Sequence, residues 1–321
     1  MADACHERER DSMGNVGAAA TKMLAPLIMV QFGWESVARI WSIALVVTTA
    51  IFLFFSSDDP KLEQMHREHR APVSMWRQFS PLRHMMVWQF SLYYFFVFGG
   101  YIALASWLPA YFVGVYGLPV ALAGLLGTAY SIPASVFRPL GGVLSDRIGA
   151  RTVMYWTFIA SLICTFILSY PPTDYVVHGV SSTITFSLAT NVVAFTLLVF
   201  VLGFFMSLGK AAVYKDIAVY YPENVGAVGG VVGMMGGLGG FVLPIVFGAM
   251  NDMVGLWTSC FMLLFAITAV SLLWMHLSIL RAERRAHLAK HDASDLSGRV
   301  TSPVEESAMA GQRQPRPRLV G

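Results

Sequence analysis

GAVGGVVGMMGGLGGFVLPIVFG, residues 226–248, sets how the rest of the chain is read. Nine glycines fall in this stretch without a single charge. A soluble loop so rich in glycine would also carry Ser, Asn or Asp. Here the other residues are Val, Met, Leu, Ile and Phe, the composition of a buried or lipid-embedded helix. Glycine costs roughly 1 kcal/mol against alanine in a water-exposed helix. In hydrocarbon the backbone has no water to bond to, so the segment stays helical. Gly229, Gly233, Gly236, Gly237 and Gly240 stand at i, i+4, i+7, i+8 and i+11 and so share one helical face. A face of bare backbone suits close helix–helix approach, or a small solute passing against the main chain. The residues alone leave both open.

Composition points the same way. Of 321 residues, 56% are hydrophobic and 13% charged, and the mean hydropathy is +0.59. A soluble domain carries about 25% charged residues, so the chain reads as an all-α polytopic membrane protein whose solvent is the lipid bilayer. That sets a soluble enzyme aside. The net charge of +3 is too small to argue for a nucleic-acid partner. Cys5, Cys164 and Cys260 are scattered, with no disulfide framework or metal-ligand spacing. No His-x-x-x-His pair lies within a span and no nucleophile stands beside a base, so neither enzyme chemistry nor a cofactor is expected. Residues 1–12, MADACHERERDS, are polar and lack the apolar core of a signal peptide.

Apolar runs near the length of about 20 residues needed to span a bilayer occur at 13–32, 36–56, 87–113, 119–144, 152–170, 186–209, 225–250 and 256–280. Lys and Arg gather in alternate connections. Lys61, Arg67, Arg70, Arg77 and Arg83 lie in the long loop 57–86, Arg147 and Arg151 in the next, and Arg281, Arg284 and Arg285 at the start of the tail. The positive-inside rule then places both termini in the cytoplasm. Arg39, beside Glu35, is the exception. Residues 281–321 are basic and lack apolar periodicity, which predicts a disordered cytoplasmic tail. The long loop separates two spans, 13–56, from six, 87–280, as if the end of one transporter half preceded a complete second half.

Several residues stand out against this background. The segment Gly141-Gly-Val-Leu-Ser-Asp-Arg-Ile-Gly-Ala-Arg151 closes one span and opens the next. Asp146 can cap or pair with a neighbouring helix end, Arg147 and Arg151 hold the loop at the membrane surface, and Gly149 permits a tight turn. Arg138, inside SIPASVFRPLGG, puts a guanidinium in the hydrocarbon region at a cost of at least about 2.5 kcal/mol. It must pair, snorkel or face a cavity, and its planar fork of donors matches the oxygens of nitrate, nitrite or a carboxylate. Tyr94 and Phe98 lie one turn apart, as packing aromatics or as a hydroxyl donor and a wall for an anion. Lys22 and Lys210 either line a cavity or reach for the interface. The first span opens Gly14-Asn15-Val16-Gly17 and runs to Pro26, a quasi-repeat of the glycine-rich stretch closing at Pro244.

The loop segment resembles the gating motif G-x-L-x-D-R-x-G-x-R of the major facilitator superfamily. GNVGAAATKMLAP, SVFRPLGGVLSDRIGAR, GKAAVYKDIAVYYPENVGAVGGVVG and GGLGGFVLP together resemble the nitrate/nitrite porter (NarK-type) family within it. The likeness covers about residues 13–280. It implies transport of nitrate and nitrite across the bacterial inner membrane by alternating access, with one arginine from each half at a central anion site. Arg138 matches the second-half arginine, and Tyr94 and Phe98 match an anion-contacting tyrosine and an aromatic that sandwiches the anion. Gly14, Asn15 and Gly17 match the first nitrate signature, and Gly233, Gly236, Gly237 and Gly240 the second. Such porters have about twelve spans, and this chain begins at the fifth, without the helix that carries the partner arginine. The expectation is an incomplete fold that does not transport alone, associated with a complementing half or a complete porter. The absence of an intramembrane carboxylate favours nitrate/nitrite exchange over proton-coupled uptake. A carrier of another small anion, or a non-transporting partner of a complete porter, are the alternatives.

Overall fold

The computed structural model of the chain describes residues 24–25, 28–55, 80–178, 182–222 and 224–310. Its helices are α1 (Trp34–Phe55), α2 (Met85–Tyr94), α3 (Tyr101–Tyr116), α4 (Val120–Val136), α5 (Arg138–Ile148), α6 (Ala150–Ser169), α7 (Val192–Tyr220), α8 (Val225–Val254) and α9 (Ser259–Ala310). A π-helical stretch, Phe95–Gly100, joins α2 to α3 as one span. Among the described residues six spans are long and apolar enough to cross a membrane, or seven if α4 and α5, bent by 42° about Phe137, count as one. Each run predicted from 36–56 onward therefore has its helix. Of the run 13–32, only residues 24–25 and 28–32 are described, and they are helical. The protein is an all-α, multi-pass membrane protein.

The chain divides into two units, Met1–Leu272 and Leu273–Gly321. In the first, α7 packs along α6, α4 and α5, while α8 lies against the span formed by α2, the π stretch and α3. Phe96, Phe112, Phe158, Phe195, Phe261 and Tyr130 are wholly buried between these helices. Tyr111 stacks on Phe195 with ring centroids 4.7 Å apart, and Phe261 meets Tyr111 edge to face. No residue of α1 is buried. Its Val46, Phe52 and Leu53 are exposed, as lipid contact allows. Arg39 donates to Glu35 at 3.1 Å, one turn away on the same helix.

Two expectations need correction. The run 186–209 begins as a helix only at Val192, where the Asn191 side chain caps the first turn by accepting from Val193 N–H at 3.1 Å. Before it, Thr183–Leu188 pairs antiparallel with Thr173–His178, from Thr173 opposite Leu188 to His178 opposite Thr183. TITFSL alternates polar and apolar residues and is rich in β-branched types, which suits a strand. At the other end, α9 continues through 281–310, where a disordered tail was predicted. Its RAERRAHLAK segment is built from strong helix formers, so the helix need not stop where the apolar pattern does. The loop 57–86 lies outside the described residues up to 79. Its end forms a 3-10 turn, Ser80–Arg83, before α2.

Candidate functional site

The site begins with the aromatic run YYFFVFGGY, residues 93–101. Tyr94 closes α2 and Phe98 lies within the π stretch. Their rings stack, with centroids 5.0 Å apart and an interplanar angle of 13°. Tyr214 of α7 meets Tyr94 edge to face at 5.1 Å and donates its hydroxyl to the Gly229 carbonyl at 3.3 Å. The glycines of α8 make room for these rings. A Cβ at Gly236 would lie 2.5 Å from Cδ1 of Tyr94 and 3.0 Å from Cδ1 of Phe98, and one at Gly233 would lie 3.1 Å from the Tyr214 hydroxyl.

The π stretch adds a second contact. It presents Gly99 to α8 so closely that a Cβ there would lie 2.8 Å from both the Gly236 carbonyl oxygen and the Gly239 Cα. Backbone meets backbone. Single π turns inside α-helical spans recur at functional positions. The predicted glycine face is thus displaced by part of a turn. Gly229, Gly233, Gly236 and Gly240 face neighbouring side chains, but a Cβ at Gly237 meets nothing within 4 Å, whereas Gly239 faces the Phe95 ring. On a helix of 3.6 residues per turn Gly237 and Gly239 lie at opposite edges of the face, and the neighbouring span sits on the Gly239 edge.

Lys210 is wholly buried. Its ammonium donates to the Ala134 carbonyl at 3.3 Å and sits 3.2 Å from the centroid of the Tyr101 ring and 5.9 Å from that of Phe98. Ten residues separate it from the end of α7, about 15 Å at 1.5 Å per residue. The ammonium thus turns inward, towards α4 and the Tyr101 ring. Arg138 is half-buried and opens α5 directly after the bend, one turn beyond Ala134. Pro139 supplies no N–H to the Ser135 carbonyl, which breaks the helix here. Ser135 Oγ in turn lies 3.4 Å from the Tyr101 hydroxyl. Lys210 therefore joins three elements: α7, the end of α4 that leads to Arg138, and the span carrying Tyr94, Phe98 and Tyr101.

The loop motif lies at the far end of α7. Gly141 is buried where a Cβ would lie 2.7 Å from the Leu208 Cα. Gly149 links α5 to α6 with φ 89° and ψ 139°. Asp146 pairs with Lys215, and Arg151 donates to the Tyr220 hydroxyl with its guanidinium 5.7 Å from that ring's centroid. Arg147 is exposed. Lys215, a partly exposed charge near the end of α7, ties that helix to the loop. Gly14, Asn15, Gly17 and Lys22 lie outside the described residues. Tyr101 and Tyr214 escaped the sequence reading, although Tyr101 follows Phe98 by three residues and Tyr214 follows Lys210 by four.

This helical architecture agrees with comparison to known proteins. The family model of the Major Facilitator Superfamily matches residues 10–180 and 116–316, and the chain belongs to that superfamily. It is 41% identical over 295 residues to the probable nitrate/nitrite antiporter NarK1 of Thermus thermophilus, covering 87% of this chain and 65% of that protein. It is 28% identical over 267 residues to the nitrite extrusion protein of Bacillus subtilis, covering 82% and 61%. To the probable nitrate/nitrite transporter NarK2 of Mycobacterium tuberculosis it is 31% identical over 254 residues, covering 75% and 55%. The chain thus spans 55% to 65% of the length of these relatives.

Proposed function

We propose that the protein carries nitrate and nitrite across the bacterial plasma membrane by alternating access, with both termini in the cytoplasm. One observation supports this most. The stacked Tyr94–Phe98 pair rests on the bare face of α8 at Gly236, with the Lys210 ammonium 5.9 Å from the Phe98 ring. A flat, polarisable monovalent anion suits such a place. The aromatic faces wall it, the Tyr94 hydroxyl donates to it, and the Arg138 fork offers two parallel N–H groups to two of its oxygens. Relatives named as nitrate/nitrite antiporter and nitrite extrusion protein favour the same substrates. The pairs Asp146–Lys215 and Arg151–Tyr220 serve as the closure that holds the loop against α7 in one state and releases it in the other. Exchange of one anion for another follows if the loaded site always returns with an anion.

Nitrate binding by the purified chain tests this directly, because binding does not require a complete two-sided path. Calorimetric titration with nitrate, competed by nitrite, is expected to show one shared site. Displacement by a carboxylate or phosphate at equal concentration, with no preference for nitrate, would move the reading to a carrier of another small anion. Binding of no anion, together with co-purification with a complete porter, would move it to a non-transporting partner.

A further inference from the structure

The hairpin between α6 and α7 sorts its residues by character. Residues opposite one another in an antiparallel pair share a face. Thr173–Leu188 and Tyr175–Phe186, with Ile184 two residues along, therefore form one face, and Asp174–Ser187, Val176–Thr185 and His178–Thr183 form the other. The first face is uncharged and mostly apolar, with Tyr175 stacked on Phe186 at 5.1 Å between ring centroids. The second is polar except for Val176. Ile184, Phe186 and Leu188 on the apolar face are 57%, 50% and 51% exposed. A two-stranded hairpin is marginal in water unless such a face is covered. The chain leaves it little freedom to find its cover. Three residues join Ser169 of α6 to Thr173, and three join Leu188 to Val192 of α7, so each strand meets its helix within about 14 Å of the end of a membrane span. The second connection is pinned, because Tyr116, the last residue of α3, donates its hydroxyl to the Thr190 carbonyl at 3.0 Å. The ends of three spans thus meet at the base of the hairpin, at the level where hydrocarbon gives way to headgroups. Exposed apolar side chains lead up to it, Phe166, Ile167 and Tyr170 at the end of α6 and Val193 at the start of α7. Between Arg151 and Lys210 the one charged residue is Asp174, on the polar face.

We propose that the hairpin lies on the bilayer surface at this end of the spans, with Tyr175, Ile184, Phe186 and Leu188 sunk among the headgroups and upper acyl carbons and with Asp174 and His178 in water. The partner is the lipid interface itself. Exposed apolar patches mark membrane or protein contacts, and continuity with the lipid-facing residues of α6 and α7 selects the membrane. Aromatic rings favour this depth. The face carries no Lys or Arg, so its attachment is apolar and indifferent to headgroup charge. Laid flat, the hairpin holds the end of α6 and the start of α7 at one depth. This surface is distinct from the anion site and does not depend on it.

The test is nitroxide labelling of the full chain in lipid vesicles. Cys164 and Cys260 are buried, and Cys5→Ser removes the third cysteine, so that protein sets the labelling background. Single labels are then placed through Ile184→Cys and Leu188→Cys on one face, and through Thr185→Cys and Ser187→Cys on the other. All four positions are exposed, and circular dichroism establishes that each variant is folded. Power saturation reads the access of each label to oxygen, which concentrates in lipid, and to a water-soluble nickel chelate. The oxygen-to-nickel ratio is expected to be severalfold higher at 184 and 188 than at 185 and 187. The same alternation is expected in phosphatidylcholine alone and in phosphatidylcholine mixed with phosphatidylglycerol. Phe186→Glu, which puts a charge on the apolar face, should lower the ratio of the label at 184 towards that at 185. Equal ratios on the two faces would overturn the proposal, because the hairpin would then stand free in water. Labels at 184 and 188 shielded from both reagents, with spin–spin broadening between chains, would overturn it in favour of a second copy as the cover. Alternation seen only with phosphatidylglycerol would overturn the apolar basis of the attachment.

Discussion

Gly236 and the ring of Tyr94 are in contact so close that a single methyl group cannot enter between them: a Cβ on Gly236 would lie 2.5 Å from Cδ1 of Tyr94. The ring cannot easily retreat, because it is stacked on Phe98 and meets Tyr214 edge to face. Gly236→Ala is therefore expected to destabilise the protein by about 1–3 kcal/mol through overpacking and to weaken nitrate binding by displacing Tyr94. Gly237→Ala, where a Cβ meets nothing within 4 Å, is the control and should leave both unchanged or raise helix stability slightly. Thermal unfolding and nitrate titration of the two variants side by side decide this. Equal effects would show that the contact does not matter.

Arg138 and Tyr94 are separable by chemistry that keeps their shape or charge. Arg138→Lys preserves a positive charge but loses the planar fork. Hydrogen bonds to charged groups contribute about 1.5–3 kcal/mol, so nitrate affinity should fall at least about tenfold. Tyr94→Phe keeps the stack on Phe98 and removes only the hydroxyl. It should weaken nitrate by a similar factor while leaving the unfolding temperature in place. Unaltered affinity in either variant would remove that residue from the site.

The pair Asp146–Lys215 has both side chains more than a third exposed, at 36% and 41%. Its contribution to stability is therefore small, about 0–1 kcal/mol. Its expected effect is on the transport cycle. Asp146→Lys should lower the rate of nitrate uptake in cells or proteoliposomes that support it, and the reciprocal change Lys215→Asp should restore part of the loss. Charge-swapped protein no faster than the single variant would argue that the two residues act apart.

Gly149 adopts φ 89° and ψ 139° between α5 and α6, a region almost closed to residues with a Cβ. Gly149→Ala is expected to cost about 1–3 kcal/mol, although no neighbouring atom would lie within 4 Å of the new methyl. The strain is in the backbone and not in the packing. Chemical denaturation gives the measurement, and a loss under 0.5 kcal/mol would show that the link can adopt another conformation.

Much of the architecture was legible in the residues. Uncharged runs long enough to span predict their helices because hydrocarbon leaves the backbone no other partner, and the glycine spacing of 226–248 indicates a face that something must approach. The approach itself was not legible. Nothing in FFVFGG marks a π turn, and that turn moves the contact from Gly237 to Gly239. The same limit hid Lys210. A lysine ten residues from a helix end is equally consistent with snorkelling and burial, and only the positions of Ala134 and Tyr101 distinguish the two. Residues 186–188 fell inside the apolar run 186–209 because Phe186 and Leu188 continue its hydrophobic composition, whereas the alternation that makes a strand begins before it, at Thr183. The helical continuation shows the reverse case as far as Lys290, where strong helix formers persist after the apolar pattern has ended; beyond it, through Gly298 and Pro303 to Ala310, nothing in the residues favours the helix.

The contact of Gly99 with Gly236 and Gly239 has a mechanical consequence. Helices that meet through interlocked side chains must lift or re-rotamer those side chains before one can slide past the other. Where two main chains touch with no side chain between them, there is nothing to disengage. Only at Gly99 does the span holding Tyr94 and Phe98 meet α8 in this way; on either side of that point the side chains of Tyr94, Phe95, Phe98 and Ile102 fit into the gaps left by Gly236, Gly239 and Gly240, so any axial shift must carry those side chains with it.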